Sequence, residues 1–197
     1  MRRALFVRHG ESEYSVDLRL NGEVGAGVAL TARGDGEARS LREQLAGETI
    51  DLCVTSPFRR TIQTADIALE GRTVPRVVLD ELGDPRYGPY EGATLEEYRV
   101  WADSARSDVP PSDDGESRLD IVARYARAFR LLLARPEDTI LVVTHSLPIA
   151  YALATREGDL PQPRVPLVGH ASVHRFTASE LERAAEALET WVAEPTW

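Results

Sequence analysis

The stretch Arg3-Ala4-Leu5-Phe6-Val7-Arg8-His9-Gly10-Glu11-Ser12 decides how the chain folds. Its apolar run, residues 4–7, is too short for a helix and rich in strand formers, so it reads as a buried strand of a mainly parallel sheet. The run stops at a cation, an imidazole and a glycine, and Gly10 lets the backbone turn there. In open α/β sheets ligands bind beyond the carboxyl ends of the strands, which is where Arg8 and His9 project. Taken alone, the triplet fits a solvated rim charge beside a hydrogen-bonded loop histidine equally well.

The same grammar recurs along the chain. A strand over residues 50–55 ends on Ser56-Pro57, with Pro57 suited to a helix's first turn, and a helix carrying Arg59, Arg60, Thr64 and Ala65 follows. Residues 74–79 read as a third strand. Residues 139–144, the plainest buried strand, end directly on His145-Ser146, and a last strand is expected over 171–176. Helices fill the intervals. One starts at the N-cap Thr31 and carries Ala38, Leu41 and Leu45 at helical spacing down to Gly47. A short one is expected over 95–101, and a long one over 119–133 capped by Ser117 or Asp114. Two more are expected over 148–154 and 180–191. Residues 13–30 and 80–92 read as loops near the strand ends, and 108–115 as a surface linker. Strands alternating with helices predict an α/β fold: a three-layer α/β/α sandwich around a mainly parallel sheet, with right-handed crossovers.

Composition narrows the function classes. With 197 residues the chain suits one well-buried domain, so 1–197 reads as a single domain. Its 43% apolar and 28% charged content describe a folded globule. A net charge of −9 argues against nucleic-acid or membrane partners, because such surfaces gain affinity from clustered Lys and Arg. Any anion site is therefore local. The first apolar run is far shorter than a signal peptide's core and no stretch reaches membrane-spanning length, so the expected location is cytoplasmic. The single cysteine, Cys53, sits in an apolar run and reads as a small buried hydrophobe.

Three strands end in the same kind of payload: Arg8-His9, Ser56 leading to Arg60, and His145. If these strands are neighbours, two arginines and two histidines gather into a cationic bowl that suits a phosphoryl group. At this point the sequence resembles a known family. Arg8-His9-Gly10-Glu11-Ser12, Leu30-Thr31-x-x-Gly34, Ser56-x-x-x-Arg60-x-x-x-Thr64-Ala65, Gly88-x-x-Glu91-Gly92, Gly115-Glu116-Ser117 and Val142-Val143-Thr144-His145 together resemble the histidine phosphatase, or phosphoglycerate mutase-like, superfamily. The motifs follow the family's order.

The resemblance implies that His9 is a nucleophile carrying a phosphohistidine. A backbone carbonyl holding its other ring nitrogen would fix the attacking tautomer. It also implies that Arg8 and Arg60 grip the phosphoryl oxygens, while a protonated His145 donates a further hydrogen bond. Ser15 stands where many relatives have an asparagine near the phosphate, and Ser146 where a glycine is common. Both are candidate substrate contacts. Arg59, next to Arg60, reads as a surface charge. Counting back from Gly88 makes Asp84 the candidate proton donor, with Glu81 and Glu11 as alternatives. No metal or cofactor is needed on this account. His170 and His174, four apart at the start of a strand, read as ordinary polar residues. Tyr14, Tyr87, Tyr90 and Trp101 could line an apolar vestibule or simply pack.

The implied function is hydrolysis of a small-molecule phosphate ester. The alternatives are a phosphoglycerate mutase or other phosphotransferase using the same pocket, and a non-catalytic phospholigand-binding protein. The sequence names neither substrate nor oligomeric state.

Overall fold

A computed structural model describes all residues from Met1 to Trp197. Five strands, β1 (Arg3–Arg8), β2 (Leu52–Thr55), β3 (Arg76–Val78), β4 (Thr139–Thr144) and β5 (Val173–Thr177), form one sheet in the order β3-β2-β4-β1-β5. The first four run parallel, and β5 pairs antiparallel with β1. Arg8 is registered beside Thr144, and Val143 beside Thr55, so the carboxyl ends of β1, β4 and β2 lie side by side. That adjacency is what the sequence required for its three payloads to meet.

Alternate residues of each strand face opposite layers. Leu5, Val7, Cys53, Leu141 and Val143 pack against α1 (Ala32–Gln44) and α2 (Arg59–Ala68). Ala4, Phe6, Leu52, Val54, Ile140 and Val142 pack against α4 (Arg118–Leu133), α5 (Ser146–Thr155) and α6 (Ala178–Ala193). The expected three-layer sandwich is present. A further helix, α3 (Leu95–Ala102), belongs to the long excursion between β3 and α4. No helix is long and apolar enough to cross a membrane.

Helix starts follow the capping chemistry. Thr31 accepts from Gly34 N at 3.1 Å. Ser117, rather than Asp114, caps α4 in a capping box with Asp120, and Thr94 and Thr177 do the same for α3 and α6. Other boundaries move for local reasons. β3 is confined to Arg76–Val78 because Pro75 has no N–H to pair. α5 begins at Ser146, two residues before its expected start, since Pro148 lies in the first turn where no intrahelical N–H bond is lost. Pro57 instead lies in a bend ahead of α2, whose N-cap is Phe58. Cys53 is buried as expected, and burial pushes its thiol up to about 11.

Candidate active site

His9 follows β1 directly. Its own backbone N–H donates to Thr144 O at 2.9 Å, which ties it to the end of β4. Gly10 N donates to Thr64 Oγ1 at 3.0 Å, and that hydroxyl donates to Arg60 O at 2.7 Å, so the first loop is pinned to α2. Thr64 and Arg60 share one helix face because they are four apart. Nδ1 of His9 lies 2.7 Å from the carbonyl of Gly10. A carbonyl only accepts, so the proton sits on Nδ1 and Nε2 keeps its lone pair. Arg60 Nε donates to that Nε2 at 3.2 Å. Burial first, then the charges around it, chiefly Arg60, push the His9 pKa well below 6.5, against the opposing Gly10 hydrogen bond. The imidazole is therefore neutral at pH 7.

His145 follows β4 and is buried against the edge of the Phe58 ring, 4.7 Å between centroids. Ser56 Oγ lies 2.8 Å from its Nε2, and Asp84 Oδ2 lies 3.0 Å from its Nδ1. A carboxylate beside Nδ1 assigns the proton to that nitrogen, with the Ser56 hydroxyl donating to Nε2. Burial pushes His145 down to about 4, outweighing the upward pull of Asp84. Without a phosphate beside it, His145 is a neutral ring that donates through Nδ1–H; the expected protonated form is one that a bound phosphate's negative charge would favour.

Arg60 is the hub. It is 3% exposed and donates to Asn21 Oδ1, Asn21 O and Asp84 Oδ2, besides meeting both imidazoles. Arg59 is exposed and reaches only Gly27 O at 3.2 Å. Arg8 donates through Nη1 to Val168 O at 2.6 Å, and its Nε is buried without a partner. Burial opposes the charge on Asp84, but His145 and Arg60 outweigh it and hold the carboxyl well below the usual carboxylate range. The bowl therefore holds two cations, one carboxylate and two neutral imidazoles rather than four positive charges. Of the three candidate acids only Asp84 reaches it. Glu11 accepts from Thr31 Oγ1 at 2.9 Å, and Glu81 lines a groove with Arg127 and Arg130.

Ser15 and Ser146 both line the cavity above His9, but each hydroxyl has a local partner. Ser15 Oγ accepts from Ser12 N at 2.7 Å, and Ser146 Oγ accepts from Val168 N at 2.8 Å. Tyr87 lines the same cavity, whereas Tyr14, Tyr90 and Trp101 do not; Tyr98 and Tyr151 do instead. Tyr90 meets Tyr98 edge to face and Trp101 meets it at a tilt, 5.7 and 5.5 Å from it, as packing residues.

Several residues escaped the sequence reading. Asn21 lies in an aperiodic polar loop and gave no signal. His170 sits in a turn before β5, not in the strand, with its ring 5.8 Å from that of His9. The loop bearing Asp84 is gripped by groups distant in sequence. Arg124 donates to the carbonyls of Glu81 and Gly83 at 2.9 Å, Thr144 Oγ1 to Leu82 O at 2.6 Å, and Tyr125 to Gly83 O at 3.1 Å. Arg124 is itself held by Glu116, 3% exposed, at 2.7 Å. Spacing along α4 hinted at none of this.

Comparison with known proteins agrees with this geometry. PhoE, an uncharacterized phosphatase of Bacillus subtilis, is 28% identical over 158 residues, covering 79% of this chain and 78% of that protein. The adenosylcobalamin/alpha-ribazole phosphatase of Salmonella typhi is 30% identical over 177 residues, covering 83% and 85%. Among solved structures, Bacillus stearothermophilus YhfR superposes with a TM-score of 0.76 at 26% identity, over 88% of this chain and 89% of that one. The probable phosphoglycerate mutase GpmB of Proteus mirabilis is also 28% identical, over 79% of this chain and 74% of that protein, so relatives of this chain include both phosphatases and a mutase. Since the family model for the histidine phosphatase superfamily (branch 1) matches residues 4–194, nearly the whole length, the chain belongs to that superfamily.

Proposed function

We infer that the chain is a phosphoric monoester hydrolase of the histidine acid phosphatase type, working through a phosphohistidine on Nε2 of His9. The observation that carries this reading is the His9 tautomer, with Nδ1–H spent on Gly10 O and the Nε2 lone pair held beside the buried Arg60. Attack forms the Nε2–P bond while the ester P–O bond breaks. Arg8, Arg60 and the Nδ1–H of His145 face the charge that builds on the phosphoryl oxygens, and donors fixed in advance act there without reorganisation. Asp84 gives its proton to the leaving alkoxide. In the second half it takes a proton from water as the water oxygen bonds to phosphorus and the Nε2–P bond breaks.

Asp84 is a carboxylate in this arrangement, so it must gain a proton when substrate binds. A phosphoryl group placed between Arg60, His145 and Asp84 supplies the reason. Its negative charge neutralises the cation that keeps the carboxyl ionised, and raises the pKa of Asp84. Substrates are small phosphate esters, and a cytoplasmic setting belongs to the same proposal. Rapid acid-free quenching during turnover of p-nitrophenyl phosphate should trap an acid-labile phosphoenzyme that His9→Ala lacks. Full turnover by folded His9→Ala, or activity lost to EDTA and restored by a divalent ion, would sink the mechanism. Isomerisation of 3-phosphoglycerate faster than its hydrolysis would make the chain a mutase.

A further inference from the structure

The cavity above His9 encloses about 200 Å³, against the roughly 10 to 15 Å³ that one water needs. A phosphoryl group uses only its floor, at Arg8, His9 and Asp84. The middle is apolar, with Leu20, Tyr87, Ile121 and Tyr151 all buried and Tyr98 half-buried beside them. Near the opening stand Arg19 and Arg164, both exposed, and Arg99 and Arg118, both half-buried. Only Arg164 of these four has an ion-pair partner, Asp103. Arg118 donates to Ala102 O and lies over the Trp197 ring, 5.6 Å from its centroid, leaving its charge uncompensated.

Asp103 and Glu96 lie near Arg164 and Glu97 near Arg19, which leaves the half-buried Arg99 and Arg118 as the unpaired cations of this mouth, in a chain whose net charge is −9. Glu96 and Glu97 of α3 are exposed and do not line the cavity. A cation excess concentrated at one opening of an acidic protein is a local anion site, the kind that planar guanidinium groups favour. Resting on the phosphatase reading, we propose that the leaving alcohol of the substrate has an apolar, ring-bearing body ending in a second anionic group. The ring lies among Tyr87, Tyr98 and Tyr151, and the far anion meets Arg99 and Arg118, the two half-buried arginines that no carboxylate pairs.

Three phosphate esters of primary alcohols with closely similar acidity test this: ethyl phosphate, 3-phenylpropyl phosphate, and the latter with a para-carboxylate. kcat/KM should rise at each step, by roughly tenfold for the ring and roughly tenfold for the carboxylate. The carboxylate preference should shrink as salt is raised, because the mouth is open to solvent. In the Arg99→Gln/Arg118→Gln double variant the ratio of the last two esters should fall towards one. A phenylpropyl ester no better than the ethyl ester overturns the apolar body. A carboxylated ester no better than its neutral counterpart, or a preference that survives the double substitution, overturns the anion site. If none of the three esters nor p-nitrophenyl phosphate is hydrolysed, it is the phosphatase reading that fails, and this proposal with it.

Discussion

Oδ2 of Asp84 lies 2.7 Å from Nη2 of Arg60, so the one carboxylate in the bowl is tied to its most buried cation. This contact favours the ionised form of a group whose proposed task requires the proton. The sign follows. A carboxyl with a depressed pKa is deprotonated over the neutral range, and only the fraction that regains a proton with substrate can act as acid. On an alkyl phosphate, kcat/KM should therefore fall as pH rises from 5 to 8. On p-nitrophenyl phosphate, whose leaving group departs unaided, the fall should be much shallower. Asp84→Asn should remove most of the alkyl-ester rate and its slope, while Glu81→Gln, whose side chain faces another groove, should treat both esters alike. Equal losses on both esters from Asp84→Asn would count against Asp84 as the acid.

Arg60 also depresses the pKa of His9, so replacing it should have a titration signature besides a kinetic one. Arg60→Ala should cost about 2 to 4 kcal/mol of transition-state stabilisation, as loss of one preorganised donor does. Arg59→Ala, at an exposed site, should cost far less. The sign on His9 follows from burial and cation repulsion both favouring the neutral ring. With Arg60 removed, NMR titration of His9 should show its pKa moving up towards 6.5. No upward movement would mean that burial alone sets it.

How far the site could be read in advance varied from residue to residue. Arg8, His9, Ser56 and His145 were legible because each stands at the end of an apolar run, and strand ends of a parallel sheet share one edge. Arg60 was selected over Arg59 by the register of the family motif Ser56-x-x-x-Arg60-x-x-x-Thr64, and the helix face carries it inward. Asn21 and Arg124 were not legible, because the site groups they hold, Arg60 for the one and the carbonyls of Glu81 and Gly83 for the other, lie 39 to 43 residues away in sequence and nothing periodic marks them. The charge state of His145 in the phosphate-free site was not legible for a related reason. Burial sets it, and burial of one imidazole is a property of the packed fold rather than of neighbouring residues.

Arg124 offers a test of how the Asp84 loop is held. Replacing it with Met leaves the buried Glu116 with only the Arg86 N–H at 2.9 Å and the Arg86 guanidinium at 4.0 Å, which should cost about 3 kcal/mol of stability, read as a lowered Tm. Burial raises the Glu116 carboxyl and Arg124 more than offsets it, so its folded pKa is lowered. Such a group stabilises above its unfolded pKa, near 4.5, and loses that contribution as pH falls through the folded value. The parent should thus lose this part of its stability on acidification, and Arg124→Met, which keeps only the weaker Arg86 contacts, should lose less. Freed carbonyls at Glu81 and Gly83 should also loosen the Asp84 loop, so the variant should lose more rate on alkyl than on aryl esters. Arg124→Lys should recover part of the stability but little of that selectivity, since one ammonium cannot span both carbonyls and Glu116.

Gly22 tests whether the two halves of the site must touch. A Cβ built there would lie 1.8 Å from the carbonyl oxygen of Pro85, next in chain to Asp84, and Gly22 itself follows Asn21. Backbone meets backbone at this point, and neither side can swing away as a long side chain would. The Gly22 N–H also donates to Glu91 Oε2 at 2.9 Å, which fixes the loop from the other side. Gly22→Ala should therefore push the Asn21 loop and the Asp84 loop apart, separating the Asn21 and Asp84 oxygens that Arg60 bridges. Its expected cost, about 3 kcal/mol, lies at the top of the usual range for overpacking. The control is Gly36→Ala on the exposed face of α1, where a Cβ meets nothing within 4 Å. That substitution should instead stabilise by about 0.5 to 1 kcal/mol, the helix preference of alanine over glycine. Thermal melts of both variants, with kcat/KM on p-nitrophenyl phosphate, separate the effects: Gly36→Ala should keep the parent rate, and Gly22→Ala should lose most of it at temperatures where it is still folded. A folded Gly22→Ala with parental kinetics would show that Arg60 does not need Asn21 and Asp84 at this spacing.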